Sequence, residues 1–332
     1  MHEHDDPLWQ PGAGADETLE RIERRLAPFA ARQRPALRRV PLRAARSRRW
    51  PRSLAIAAGL LLALAAAWQW RFHWPEGQAW RTDLVQGDGT TVRGRWSRGG
   101  EFATGAGETA AVAVARIGRL QLAPETRLRL IETRRGRHRV ALEIGRIEAT
   151  VWAPPGQFGV RSGEADILDL GCAFTLTRDR DGRGELQVSS GWVQYELGRQ
   201  EVLLPAGYRV TYDGDGASLP VSISAQADVL AAVARVEAAT QTDARAAAIA
   251  ALAASARRDD AYTLLHLLTR DPALARGPLY PRLAELLDAP ADAAHREAWA
   301  RGEIGAINAW WSRWPVPPKA WWRQWRDAFP AP

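Results

Sequence analysis

The sequence predicts a single-pass membrane protein whose outer part is an all-β domain, a short-strand sandwich or a solenoid-like stack, followed by an all-α helical domain. Three observations carry this. The run from Ser53 to Trp68 contains no charged residue. Between Leu84 and Ile223 the chain breaks into brief alternating runs cut by turn residues. From Ala225 onward the apolar residues recur at helical spacing.

The predicted head spans residues 1–52. Residues 1–15 are polar and read as a disordered start. His2, Glu3, His4, Asp5 and Asp6 are donor types for a metal, but a solvated tail explains them as well. Residues 16–29 are expected to form a short helix. Leu19, Ile22, Leu26 and Phe29 fall on one stripe, and Arg21, Glu23, Arg24 and Arg25 take the other faces. A helix of that length is not stable alone in water, so it wants a protein partner or a membrane surface. Pro28, Pro35 and Pro41 then break the path toward the apolar run.

That run is the candidate transmembrane helix, residues 53–70. Counted from Trp50 to Trp70 it reaches the length a bilayer core requires. Trp50, Trp68, Trp70 and Trp74 then fall at the two interfaces, where indole rings prefer to lie. Nine arginines between Arg32 and Arg52, with no acid among them, place the head in the cytoplasm. A cleaved signal peptide is the alternative, since Ala65, Ala66 and Ala67 resemble a cleavage site. A leading region of 52 residues is long for one.

Charge supports the same arrangement. The net charge is +7, yet residues 1–52 hold 12 arginines against 7 acids, while the rest of the chain is nearly balanced. Basic character confined to a stretch before an apolar run points to topology, not to nucleic acid. Lys319 is the single lysine and Cys172 the single cysteine. A P-loop lysine, an intrachain disulfide and a multi-cysteine zinc site are thereby excluded.

Residues 71–82 read as a linker and 83–223 as the β domain. Ala110 to Ala115, Arg127 to Ile131, His138 to Ile144, Ala173 to Thr177 and Glu185 to Val188 are its clearest strand runs. Asp88–Gly89, Asp181–Gly182 and Asp213–Gly214 are turn signals. Leu142 to Ala149 and Val188 to Tyr195 match in their glycine and apolar places, which suggests a repeated hairpin.

Residues 224–332 form the helical domain. Val229, Ala232, Val233 and Val236 share a face, and further helices are expected over 279–288, 293–313 and 318–329. Trp310, Trp311, Trp314, Trp321, Trp322 and Trp325 crowd around Pro315 to Pro318. They form either an aromatic core that closes the domain or an exposed patch for a partner.

The search for chemistry is negative. No nucleophile elbow and no paired-histidine metal motif occur. Asp179 to Gly182 and Asp213 to Gly216 resemble fragments of calcium loops but lack the distal acidic ligand, so tight turns explain them. Cys172 lies among apolar residues and reads as a buried thiol, with a redox role as the alternative. No enzyme activity and no cofactor are expected.

The β region resembles the FecR domain, found outside the cytoplasm in bacterial membrane-anchored regulators. The matching runs are Leu122 to Leu130, Leu142 to Ile147, Val160 to Gly163, Leu170 to Leu176, Ser190 to Val193 and Val202 to Gly207. Val160, Gly163, Gly171, Cys172, Phe174, Gly191 and Gly207 hold the motif places. Ser162 and Cys172 stand where the family usually has threonine. The resemblance implies a regulator of the bacterial inner membrane with its β domain in the periplasm. It also implies a cytoplasmic head that binds a sigma factor of the extracytoplasmic-function type, as an anti-sigma or sigma-regulating element. An envelope adaptor that binds cell wall, glycan or protein is the alternative. No nucleic-acid partner is expected.

Overall fold

The structure, a computed structural model, describes residues 21–22, 24–25, 52–198 and 200–314, with side chains from position 56 onward in the first long helix. Arg21, Ile22, Arg24 and Arg25 are helical and exposed. Leu19, Leu26 and Phe29 lie outside the described residues, so the predicted stripe is placed only at Ile22. The chain divides into two compact units, Met1–Leu61 and Leu62–Pro332.

Helix α1, Arg52–Phe72, is 21 residues long and carries almost nothing but Ala and Leu in its middle, strong helix formers. At 1.5 Å per residue it extends about 31 Å. Its large apolar side chains from Ile56 to Trp70 are 61–72% exposed, so no protein surface covers them. Among the described residues, which omit the side chains of positions 52–55, no helix is long and apolar enough to cross a membrane.

Fifteen strands follow in chain order: β1 Trp80–Val85, β2 Thr91–Trp96, β3 Glu101–Ala103, β4 Thr109–Val114, β5 Gly118–Leu122, β6 Arg127–Arg134, β7 Arg137–Val151 and β8 Phe158–Ser162, then β9 Ala165–Asp169, β10 Ala173–Arg178, β11 Gly184–Ser190, β12 Trp192–Leu197, β13 Gln200–Pro205, β14 Tyr208–Tyr212 and β15 Val221–Ser222. They form two sheets that share one strand. The first runs β2-β1-β4-β5-β7-β10-β11-β14-β15, and the second runs β3-β6-β7-β8-β9-β12-β13. Every pairing is antiparallel except β7 with β8.

The shared strand explains the architecture. Residues 137–144 of β7 pair with β6, and residues 145–151 pair with β5 and β10. The strand leaves one sheet for the other at Gly145, where φ is +105°. A Cβ at Gly145 would lie 2.5 Å from Thr126 Cα, so only glycine fits. The second crossing, from β11 to β12, occurs at Gly191 with φ +72°. These are the two glycines of the internal echo. The repeated-hairpin expectation is therefore corrected: the echo marks two places where the chain passes from sheet to sheet, within β7 and between β11 and β12. A hairpin and a bent strand share the same local signal, a glycine between apolar pairs, and only the partner strands tell them apart.

The sheets face each other across one core, as a sandwich. Trp80 Nε1 donates to Thr133 Oγ1 at 2.9 Å, and the Tyr195 and Tyr212 rings lie 5.7 Å apart. Asp88–Gly89 turns β1 into β2, and Asp181–Gly182 turns β10 into β11.

Among the described residues six α-helices follow: α2 Ala227–Ala238, α3 Thr242–Ser255, α4 Ala261–Arg270, α5 Leu279–Leu286, α6 Ala293–Ala300 and α7 Ile304–Trp311. The expected single helix over 293–313 is broken between α6 and α7. Gly302 has φ +78° there, a helix-terminating conformation. The expected helix over 318–329 lies outside the described residues. Val229, Ala232, Val233 and Val236 are buried together on α2 as their spacing predicts.

Candidate functional site

Gly171, Cys172, Gly191 and Gly207 lie around the β11–β12 crossing, and Gly163 lies at the other end of β10. Val160 on β8 and Phe174 on β10 are buried in the core. Gly163 closes the β8–β9 turn beside the Arg178 guanidinium, and Gly207 closes the β13–β14 turn, where its N–H donates to Val188 O at 2.9 Å. A Cβ at Gly191 would press on Gly171 O and lie 3.0 Å from Cys172 Cα. Close backbone approach at the crossing thus requires the glycine.

Asp169, which the sequence reasoning passed over, organises this corner. Its carboxylate accepts from Gly171 N at 3.2 Å, Cys172 N at 2.9 Å and Cys172 Sγ at 2.5 Å. Burial pushes the Asp169 carboxyl up to about 6, against the pull of those three hydrogen bonds. Burial and the neighbouring Asp169 charge push the Cys172 thiol up as well. The thiol is buried and protonated, the opposite of what a redox sensor needs. An acid two residues before a glycine, the pattern of a side-chain-capped turn, was the available signal for Asp169.

A groove opens elsewhere, between the β10–β11 turn, the loop after β14, and helices α2 and α4. It encloses about 1080 Å³. Arg178, Arg183, Arg270, Asp179, Asp213, Asp215 and Glu237 line it. Both acidic fragments flagged in the sequence are here, folded as tight turns. Asp179 Oδ1 accepts from Arg183 N at 2.8 Å, and Asp213 Oδ1 accepts from Asp215 N at 2.9 Å and Gly216 N at 3.2 Å. Glu237 accepts from Leu219 N at 2.5 Å, and burial raises its carboxyl. Among the described residues no group of His, Cys, Asp and Glu side chains is arranged to hold a metal. The groove offers mixed charge and hydrogen bonding, and no histidine or cysteine lines it.

Aromatic side chains fill the junction between strands and helices. Trp310 and Trp314 are buried and Trp311 is partly buried. Trp310 packs on Tyr280 and Trp299, while Trp311 and Trp314 pack on Tyr262. Tyr262 in turn reaches the β domain, through its hydroxyl to Leu203 O and its ring to Trp192. These three tryptophans belong to the core and form no exposed patch. Trp321, Trp322 and Trp325 lie outside the described residues.

A last cluster joins α1 to the β domain. Arg116 donates to Trp70 O at 2.8 Å and His73 O at 2.9 Å, and its guanidinium lies 4.0 Å from the centre of the Trp70 ring. The arginine thus caps the helix C-terminus and stacks on its last tryptophan. Trp74 is buried, and β1 begins at Trp80. Half of the stretch expected to be linker is therefore packed structure.

Residues 100–194 match the family described as FecR protein. No curated protein matches the chain. Two crystal structures of a candidate anti-sigma factor from Parabacteroides distasonis are similar to it, each at 21% identity and a TM-score of 0.34 over 41% of this chain. The matches span 65% and 64% of those chains, just under two thirds.

Proposed function

Because residues 100–194 form a FecR domain, we propose that the chain is a membrane-anchored signalling regulator whose cytoplasmic head controls a sigma factor. The family match is the observation that carries this reading. In it, α1 spans the inner membrane, the arginine-rich head lies in the cytoplasm, and the sandwich stands in the periplasm. The run of nine arginines that ends at the first residue of α1 supports this orientation, and the exposed apolar side chains along α1 support the span. The sandwich receives the signal. The polar groove at Arg178, Asp213 and Arg270 is its candidate receiving surface, and a small polar ligand or an extended peptide suits its mixed charge.

Deleting residues 1–30 from the full chain separates signalling from an adaptor role. A sigma-regulating protein loses its effect on transcription from promoters of that sigma factor. Unchanged transcription, with the deleted protein still in the membrane, overturns the sigma-regulating head.

A further inference from the structure

The outer face of the first sheet carries a second surface that the family match does not assign. Arg119 pairs in register with Thr150, and Gln121 with Glu148, on neighbouring strands β5 and β7. All four side chains point outward, since Leu120, Ala149 and Val151 between them are buried. Glu148 is occupied by Arg146 at 2.9 Å. A shallow cavity of about 430 Å³ lies over this patch, with Arg71, Arg116 and Trp152 on its rim. Trp152 is 75% exposed. Its backbone oxygen accepts from Arg71, a residue of the final turn of α1, at 3.1 Å.

Three arginines and an exposed indole therefore surround the end of an uncovered apolar helix. Guanidinium groups recognise phosphate, and indole rings prefer the headgroup layer of a bilayer. Arg116 is held by the helix end and one Arg71 nitrogen by Trp152 O, which leaves Arg119 and the remaining Arg71 N–H groups, with Thr150 and Gln121 as hydrogen-bonding neighbours.

We infer that this face is a lipid foot, through which Arg71, Arg119 and Trp152 seat the sandwich on the anionic phospholipid headgroups around the outer end of α1. The inference rests on the membrane-anchoring reading above. The foot fixes the height and tilt of the sandwich over the bilayer. A change in the sandwich is then passed to α1 through the Arg116 clamp and is not lost in a slack tether.

The test uses the full chain in vesicles containing phosphatidylglycerol. A polarity-sensitive fluorophore is attached at Gln121→Cys, or separately at Leu61→Cys within α1. Cys172 is buried, and unlabelled wild-type protein checks that it stays unreacted. Quenching by lipids brominated in the acyl chain reports α1, and quenching by headgroup-labelled lipids reports the foot. Both labels quenched is the expected result. Arg119→Glu should shift the Gln121 label toward water, lowering its bound-to-free ratio by about five-fold or more for each charge removed. Leu61 quenched with Gln121 unquenched overturns the foot and leaves the anchor standing. Neither quenched overturns the anchor, and the foot with it. Equal Gln121 quenching in phosphatidylcholine vesicles and in Arg119→Glu overturns recognition of anionic headgroups.

Discussion

Burial shifts titratable side chains in both directions, Asp169 and His138 among them. Burial raises the Asp169 carboxyl to about 6 and lowers His138 to about 4. His138 lies between the sheets, with Nδ1 at 3.0 Å from Thr133 Oγ1 and its ring 5.9 Å from that of Trp80. A raised carboxyl means that the fold favours the protonated acid. The contribution of Asp169 is fully present below about 3.8, its ordinary value, and is lost as the pH rises through about 6. A lowered imidazole means that the fold favours the neutral ring. The contribution of His138 is present above about 6.5 and is lost as the pH falls through about 4. Each shift is worth about 3 kcal/mol. Asp169→Asn keeps an acceptor for the Gly171 and Cys172 amides and removes the charge. Denaturant titrations at several pH values should show the wild type losing about 3 kcal/mol relative to this variant between about pH 4 and pH 7. A difference that does not change with pH would sink the assignment. Asp169 escaped the sequence reading because nothing local reveals that an aspartate is buried. Its two amide partners are near in sequence, but its burial comes from distant strands.

At the level of elements, β7 is the strand on which both sheets are built. Its outward and inward positions alternate at both ends, Arg137–Val140 and Arg146–Val151, so the local pattern identifies a strand on either side of the bend. The bend at Gly145 decides that one strand serves two sheets. Gly145→Ala meets two penalties there, a positive φ that disfavours side chains and contact with the Thr126 backbone. Together they should cost about 3 kcal/mol or more, read as a lower urea midpoint. A loss below about 1 kcal/mol would show that the bend relaxes and that glycine is not needed. The break at Gly302 was not read, because Arg301 and Glu303 continue a helix-favouring composition on both sides.

Across the whole molecule, strands and helices share one core from Trp74 to Trp314. Tyr208 donates to Asp259 O at 2.5 Å, Thr263 donates to Pro220 O at 2.7 Å, and Tyr208 packs on Trp314. Removing the helices would expose the Trp192, Leu203 and Tyr208 side of the sandwich. A single cooperative transition is expected, with the β and helical circular-dichroism signals and tryptophan fluorescence changing together. Two separated transitions would show that the β and α parts are independent. Much of this organisation can be traced to the chain alone. The apolar run with its arginine collar, the alternating strands, the Asp–Gly turns and the FecR-like order of glycines all act over a few residues, where sterics and burial leave a periodic mark. Three features needed the fold. Arg116 closes on a helix end 46 positions earlier, the glycines at 145 and 191 carry strands between sheets, and Trp310, Trp311 and Trp314 turn inward onto Tyr262 and Tyr280. Each depends on which distant surface a residue meets, and packing partners far apart in sequence leave no periodicity to read.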